Sequence, residues 1–240
     1  MEFAYFLVWH GSRDRRSQTA SHHLAYLVTQ ALGLSPSLVG VAPLELSPYP
    51  LHEALVQFAQ QVQGTGVETI RILPLFLLPG VHVKEDIPAE IAQARQQLGS
   101  SPQLELLDYL GKQPQMVDLL AQEFQDVPQN SHSQRILLSH GSRREGANCA
   151  IAALAAQLNA RPAYWAVPPH LSSQIEHCVT NGQTDIAIQP YFLFTGGLTD
   201  AIAQQVAELR VKFADAKLNL GEPLGATPQL AQLITDKLHE

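Results

Sequence analysis

Apolar residues fall along the first half of the chain in two alternating rhythms. Short continuous runs, "FAYFLVW" (3–9), "SLVGVAP" (37–43) and "LELLDYL" (104–110), have the length of buried strands, and "VETIRILPLFLL" (67–78) contains another. Between them lie the longer stretches 14–33, 51–63, 84–98 and 114–125, where apolar positions recur every three to four residues, as on one face of a helix. Gly33, the pair Gly64 and Gly66, and Gly99 close the first three of these, where glycine commonly ends a helix. Strand and helix alternate four times. That order predicts right-handed crossovers and a parallel sheet covered by helices on both faces.

The second half repeats the plan. "RILLSHGSR" (135–143) matches "FLVWHGSR" (6–13), and "IAIQPYFLFTGG" (186–197) matches "IRILPLFLLPGV" (70–81). "LGEPLGATPQLAQLITDKL" (220–238) matches "LLDYLGKQPQMVDLLAQEF" (106–124), keeping Leu110 with Leu224, Gly111 with Gly225, Pro114 with Pro228 and Gln115 with Gln229. The expected fold class is therefore α/β, with two duplicated lobes facing each other across a cleft. Each lobe is a small parallel four-stranded sheet flanked by helices. The first lobe is expected over 1–126, a linker over 127–133 in the polar segment "DVPQNSHSQ", and the second lobe over 134–240.

Composition narrows the function classes. The chain has 240 residues and a formal charge of −7, which argues against a broad nucleic-acid or anionic-membrane surface while leaving room for a local basic pocket. Two cysteines, Cys149 and Cys178, without a CxxC pair suggest neither a disulfide framework nor a thiolate zinc site. No apolar stretch reaches the roughly 20 residues of a spanning helix, and no leader is evident at the N-terminus. The expectation is a cytoplasmic protein with no membrane and no nucleic-acid partner.

Chemistry enters at the strand ends. In open parallel sheets, ligands bind beyond the carboxyl ends of the strands, where strand order reverses. With strand order 2-1-3-4, His10 after the first strand and His82 after the third meet at one rim. Neutral imidazole binds first-row divalent metals and also accepts protons near neutral pH. Carboxylates are near: Glu85 and Asp86 open the helix after His82, and Glu45 follows the second strand. A His–His–Glu set would leave coordination positions open, as a catalytic or transient metal site requires. The helix dipole alone also favours acids in a first turn, and for Asp86 that is the preferred explanation. Ser12 suits an N-cap, Gly11 a tight turn, and Arg13, Arg15 and Arg16 a solvated face. His22, His23 and His52 have no comparable support and are expected at the surface or partly packed.

"WHGSRD" after the first strand, "LPLFLLPGVHVKEDIP" after the third, and the internal repeat together resemble the sirohydrochlorin chelatase family. This is the long, duplicated form of the ATP-independent tetrapyrrole chelatases, a class that includes ferrochelatase. HGSR alone is a weak motif; followed at this distance by LPxFLxxGxHVxxDIP it is a strong one. The resemblance implies insertion of Co²⁺, Fe²⁺ or Ni²⁺ into sirohydrochlorin, for cobalamin or sirohaem. It implies a site of His10 and His82 as metal ligands and catalytic groups, with Glu85 as an acidic helper. The metal is then a substrate, and no permanently bound cofactor is expected. No GxxxxGK[ST] phosphate loop occurs, in keeping with chemistry that exchanges metal for protons. The peripheral carboxylates of such a tetrapyrrole call for donors, for which Ser12, Arg13 and Lys84 are candidates; Glu45 is placed with them on the substrate side.

The second copy departs from this pattern. "TGGLTDAI" stands where the first half has "PGVHVKEDI", so His140 persists while Gly197 or Leu198 replaces His82, and Glu45 has no clear counterpart. One complete site in the first lobe and a degenerate second copy are expected, within a monomer. Three alternatives remain. A non-catalytic metal or tetrapyrrole carrier would bind without turnover. A histidine phosphatase would need an arginine before His10, where Trp9 stands. A purely structural α/β protein would leave the repeated motif and His82 unexplained.

Overall fold

A computed structural model describes residues 3–99, 101–130, 132–144 and 146–239. In the first half the elements run β1 (Phe3–Trp9), α1 (Arg15–Leu32), β2 (Val39–Pro43), α2 (Leu51–Gln61), β3 (Thr69–Pro74), α3 (Ile87–Leu98), β4 (Gln103–Leu106) and α4 (Met116–Asp126). The second half repeats them as β5 (Gln134–Ser139), α5 (Cys149–Gln157), β6 (Ala160–Tyr164), α6 (Leu171–Thr180), β7 (Asp185–Pro190), α7 (Gly197–Lys212), β8 (Lys217–Leu220) and α8 (Pro228–His239). Two parallel sheets result, ordered β2-β1-β3-β4 and β6-β5-β7-β8. Among the described residues no helix is long and apolar enough to cross a membrane.

The continuous apolar run of β1 reflects burial on both faces. Ala4, Phe6 and Val8 join Ile70 and Ile72 of β3 in a core closed by Leu51, Leu55 and Phe58 of α2 and by Ile87, Ile91 and Ala94 of α3. Tyr5, Leu7 and Trp9 alternate to the other face and are buried too. Arg71, in register with Tyr5, donates from Nη1 to the Leu238 carbonyl of α8 at 2.6 Å, so α8 lies over that face, where it also packs on α1. The ends of α1 follow its sequence signals. Asp14 caps it by accepting from Arg16 N at 2.9 Å. At the other end Gly33 (φ 63) and Leu34 donate to Gln30 O and Thr29 O, closing the helix with a left-handed turn.

The expected lobe boundaries need correction. The compact units are Met1–Gln113 with Ala226–Glu240, and Pro114–Gly225. Helix α4 thus belongs with the second sheet, packing on β7, and α8 with the first. The reason is physical. Two copies of one sequence offer equivalent apolar faces, so periodicity shows that a helix will pack on such a sheet without showing which copy it takes. Val127, expected in the linker, is buried, and a Cβ on Gly221 would lie 2.7 Å from its Cγ2.

Three elements also differ from the sequence reading. Pro36–Leu38 is a 3₁₀ turn rather than the start of the second strand. The run at 104–110 is a strand only to Leu106; the chain then passes the β3 loop at Gly111, where a Cβ would overlap the Leu77 backbone and whose N–H donates to Phe76 O at 2.9 Å. The helix expected from residue 84 begins as a π-helical turn, His82–Asp86, which runs into α3.

Candidate metal centre

Three loops at the carboxyl ends of adjacent strands bring the donors together. His10 follows β1, the central strand, and Glu45 follows β2 by two residues. The β1–β2 ladder continues past the strands: Leu44 N donates to Trp9 O at 2.7 Å and Glu45 N to His10 O at 3.0 Å. That tie fixes Glu45 beside His10. On the other side Leu75 N donates to Val8 O at 2.7 Å, and the chain after β3 leads round to His82.

The His10 and His82 rings meet edge to face, with centroids 4.7 Å apart and planes at 86°. Phe76 forms an aromatic wall, its centroid 6.0 Å from each imidazole. One donor atom from each of His10, Glu45 and His82 lies within 4.8 Å of the other two, close enough to share one ion. His10 and Glu45 are exposed and His82 is partly buried, so the set is open to a ligand on the solvent side.

Local conformation holds the arrangement. Gly11 has φ 99, and a Cβ there would overlap the Glu45 carbonyl oxygen. The glycine of the HG pair therefore lets the His10 and Glu45 loops touch. Leu46, just after Glu45, is left-handed (φ 58) although 57% exposed, strain that no burial offsets. His82 Nδ1 lies 2.7 Å from Asp86 Oδ2. A carboxylate oxygen accepts, so Nδ1 carries the hydrogen, and in the neutral ring Nε2 is the nitrogen with the lone pair.

Several residues singled out from the sequence sit differently. Glu85 is exposed and outside the donor group; Glu45 is the carboxylate within it. Asp86, assigned to helix electrostatics, turns its side chain to His82 instead and makes no side-chain cap of α3. Ser12 is not the N-cap of α1; that is Asp14, whose N–H donates to Ser12 Oγ at 3.0 Å. Hydrogen bonds and the charge of Arg16 hold the Asp14 carboxyl below its ordinary range. Arg13 and Lys84 are exposed at the ends of the two histidine loops. Phe76 goes unnoticed in the sequence, although an aromatic repeats at the equivalent Phe192; for Asp86 the i, i+4 spacing to His82 is the signal that the helix-dipole explanation passes over.

In the second unit the turn and its histidine recur without the other two donors. Trp165 N donates to Ser139 O and Ala166 N to His140 O, both at 2.9 Å, so Ala166 stands where Glu45 stands. Pro190 takes the ladder position of Pro74, which by residue count places Leu198 where His82 stands. His140 is exposed and its Nδ1 lies 2.9 Å from Gly141 O. Gly141 is again left-handed (φ 76), with a Cβ there 2.7 Å from Tyr164 Cβ.

A 2-1-3-4 parallel sheet present twice in one chain, flanked by helices throughout, defines a duplicated α/β protein. The sequence model of the CbiX family matches residues 4–127 and again 134–240, and the chain belongs to that family. It is similar to the sirohydrochlorin ferrochelatase of Priestia megaterium, with 26% identity over 218 residues that take in 86% of this chain and 79% of that protein. It is also similar to the sirohydrochlorin cobaltochelatase of the same organism, with 23% identity over 190 residues, 73% of this chain and 61% of that one. Among solved structures, SirB from Bacillus subtilis with Fe³⁺ has the same fold (TM-score 0.82, 22% identity, 100% of this chain and 95% of that one).

Proposed function

We propose that this chain inserts a divalent metal ion into sirohydrochlorin without nucleotide hydrolysis, and that His10, Glu45 and His82 are the donors that deliver the ion. The observation that carries this reading is the convergence of two imidazoles and one carboxylate from three separate loops within 4.8 Å. Two relatives named for this reaction, one with iron and one with cobalt, support it.

Insertion exchanges one M²⁺ for two pyrrole protons while four ring nitrogens replace the ion's water and protein ligands. A three-donor, open set suits that exchange, because it holds the ion without closing its coordination sphere. As the ion passes into the ring, His10 and Glu45 are released as bases within reach of the departing protons. Arg13 and Lys84 extend from the same two loops and serve the peripheral carboxylates, Arg13 by bidentate pairing. Ser12, whose oxygen already accepts from Asp14 N, still has its hydroxyl hydrogen to donate. Phe76, with the exposed Leu46 and Tyr49 beyond Glu45, offers apolar contact for the macrocycle. Fe²⁺, Co²⁺ and Ni²⁺ all suit two nitrogens and an oxygen, so cellular availability selects among them.

Steady-state insertion rates in single variants test the donor set. His10→Ala and His82→Ala should each lower the rate by about 10²-fold or more, and Glu45→Gln by a similar order. Glu85→Gln, outside the group, should stay near wild type, and His140→Ala should weaken insertion only modestly. A loss at His140 equal to that at His10 would overturn the one-site assignment.

A further inference from the structure

We propose that Asp86 is a positioning residue for His82: its carboxylate holds the ring through Nδ1 so that Nε2 is the atom presented to the metal ion. The proposal rests on the reading of His10, Glu45 and His82 as metal donors. It begins from the 2.7 Å contact between His82 Nδ1 and Asp86 Oδ2.

The bland explanation is an acid at a helix start. It does not fit. Asp86 has helical dihedrals (φ −68, ψ −50) inside a continuous helical path, and its side chain caps no backbone N–H of α3. The π-helical turn is closed by Ile87 N–H donating to His82 O, five residues back, so the histidine and the aspartate bracket one widened turn. Such turns recur at functional sites.

Nor does burial demand the pair. The side chains are 29% and 46% exposed, where a simple ion pair contributes little to stability. What the contact does settle is the ring. With Nδ1–H committed to a carboxylate, the tautomer is fixed and rotation of the imidazole is restrained on one side by Asp86. The ring also meets His10 edge to face and lies tilted against Phe76. Glu85, one residue earlier, does not supply this contact.

The test is Co²⁺ binding to the full chain, followed by the visible absorption of the bound ion, in wild type, Asp86→Asn and Asp86→Ala. Thermal unfolding is run alongside. Asp86→Ala should weaken Co²⁺ binding about 10- to 100-fold and change the band shape, the size expected when a partner behind a metal-bound histidine is lost. Asp86→Asn should stay much closer to wild type, because its amide oxygen still accepts from Nδ1–H. The unfolding midpoint should hardly move, since the pair is exposed. Wild-type affinity and spectrum in Asp86→Ala would overturn the proposal, as would an equal loss in both variants, which would point to charge rather than orientation. A wild-type chain that binds no Co²⁺ would instead remove the metal-donor reading itself, and this proposal with it.

Discussion

Gly11 and Gly33 both have positive φ, yet they bear different consequences. Gly33 faces open space, whereas a Cβ on Gly11 would strike the Glu45 carbonyl. Gly33→Ala should therefore cost about 1 kcal/mol, the conformational term alone, and leave insertion unchanged. Gly11→Ala should cost roughly 2 kcal/mol or more and also lower the insertion rate, because the loops carrying His10 and Glu45 must part. Denaturation midpoints and rates measured on both variants check this; equal effects would show that the Gly11 contact is not what sets the site. At this scale the sequence was most legible where a residue terminates a strand. His10 and His82 could be placed on one rim from strand order alone. Glu45 was harder to distinguish from Glu85, because nearness along the chain favours Glu85, three residues from His82. Nearness in space is decided by the β1–β2 ladder, which extends to Glu45 N and His10 O.

Among the elements, strands and helices were readable from their periods and from glycines such as Gly33 and Gly99 that end helices. Their partners were less so. The 3.6-residue period of α8 predicts a buried face, and Leu230, Ile234 and Leu238 are each fully buried. At about 2 kcal/mol each these three alone contribute an amount comparable with the 5–15 kcal/mol net stability of a typical domain. They contribute it to the unit that holds His10, Glu45 and His82, not to the sheet that precedes them in sequence. A chain ending at Ala226 keeps all three donors but uncovers the Tyr5 and Arg71 face. It should lose cooperative unfolding and insertion activity together, measured by circular dichroism and by the rate. Retained cooperative unfolding would show that α8 is dispensable to the first unit. A smaller brace links α2 and α3: Glu90 Oε2 accepts from His52 N and lies 2.8 Å from His52 Nδ1. It occupies the start of a helix whose own N-cap, Pro50, offers no side-chain acceptor. His52, set aside in the sequence reading, thus ties together the helices that follow the Glu45 and His82 loops.

For the whole molecule, duplication preserves the fold more faithfully than the chemistry. Both units keep the strand order, the left-handed glycine after the first strand's histidine, and the two backbone bonds that follow. The donors survive in one: Ala166 and Leu198 stand in the places of Glu45 and His82. Repeated backbone features are readable from repeated sequence, because glycine and apolar positions are what the fold needs. The replacement of donor side chains in one copy is readable as well, because such side chains have no structural reason of that kind to persist. Despite a net charge of −7, the exposed cations Arg13 and Lys84 follow the two histidines closely, which is where the proposed function needs them for an anionic tetrapyrrole. The most direct test is an anaerobic absorbance time course of sirohydrochlorin with Co²⁺, Fe²⁺ or Ni²⁺, run without nucleotide beside a His10→Ala variant and a protein-free blank. Many turnovers per chain, lost in the variant and unchanged when nucleotide is added, are the expected result. Metallation no faster than the blank, with tetrapyrrole nonetheless bound, would contradict insertion and leave a carrier built on the same fold.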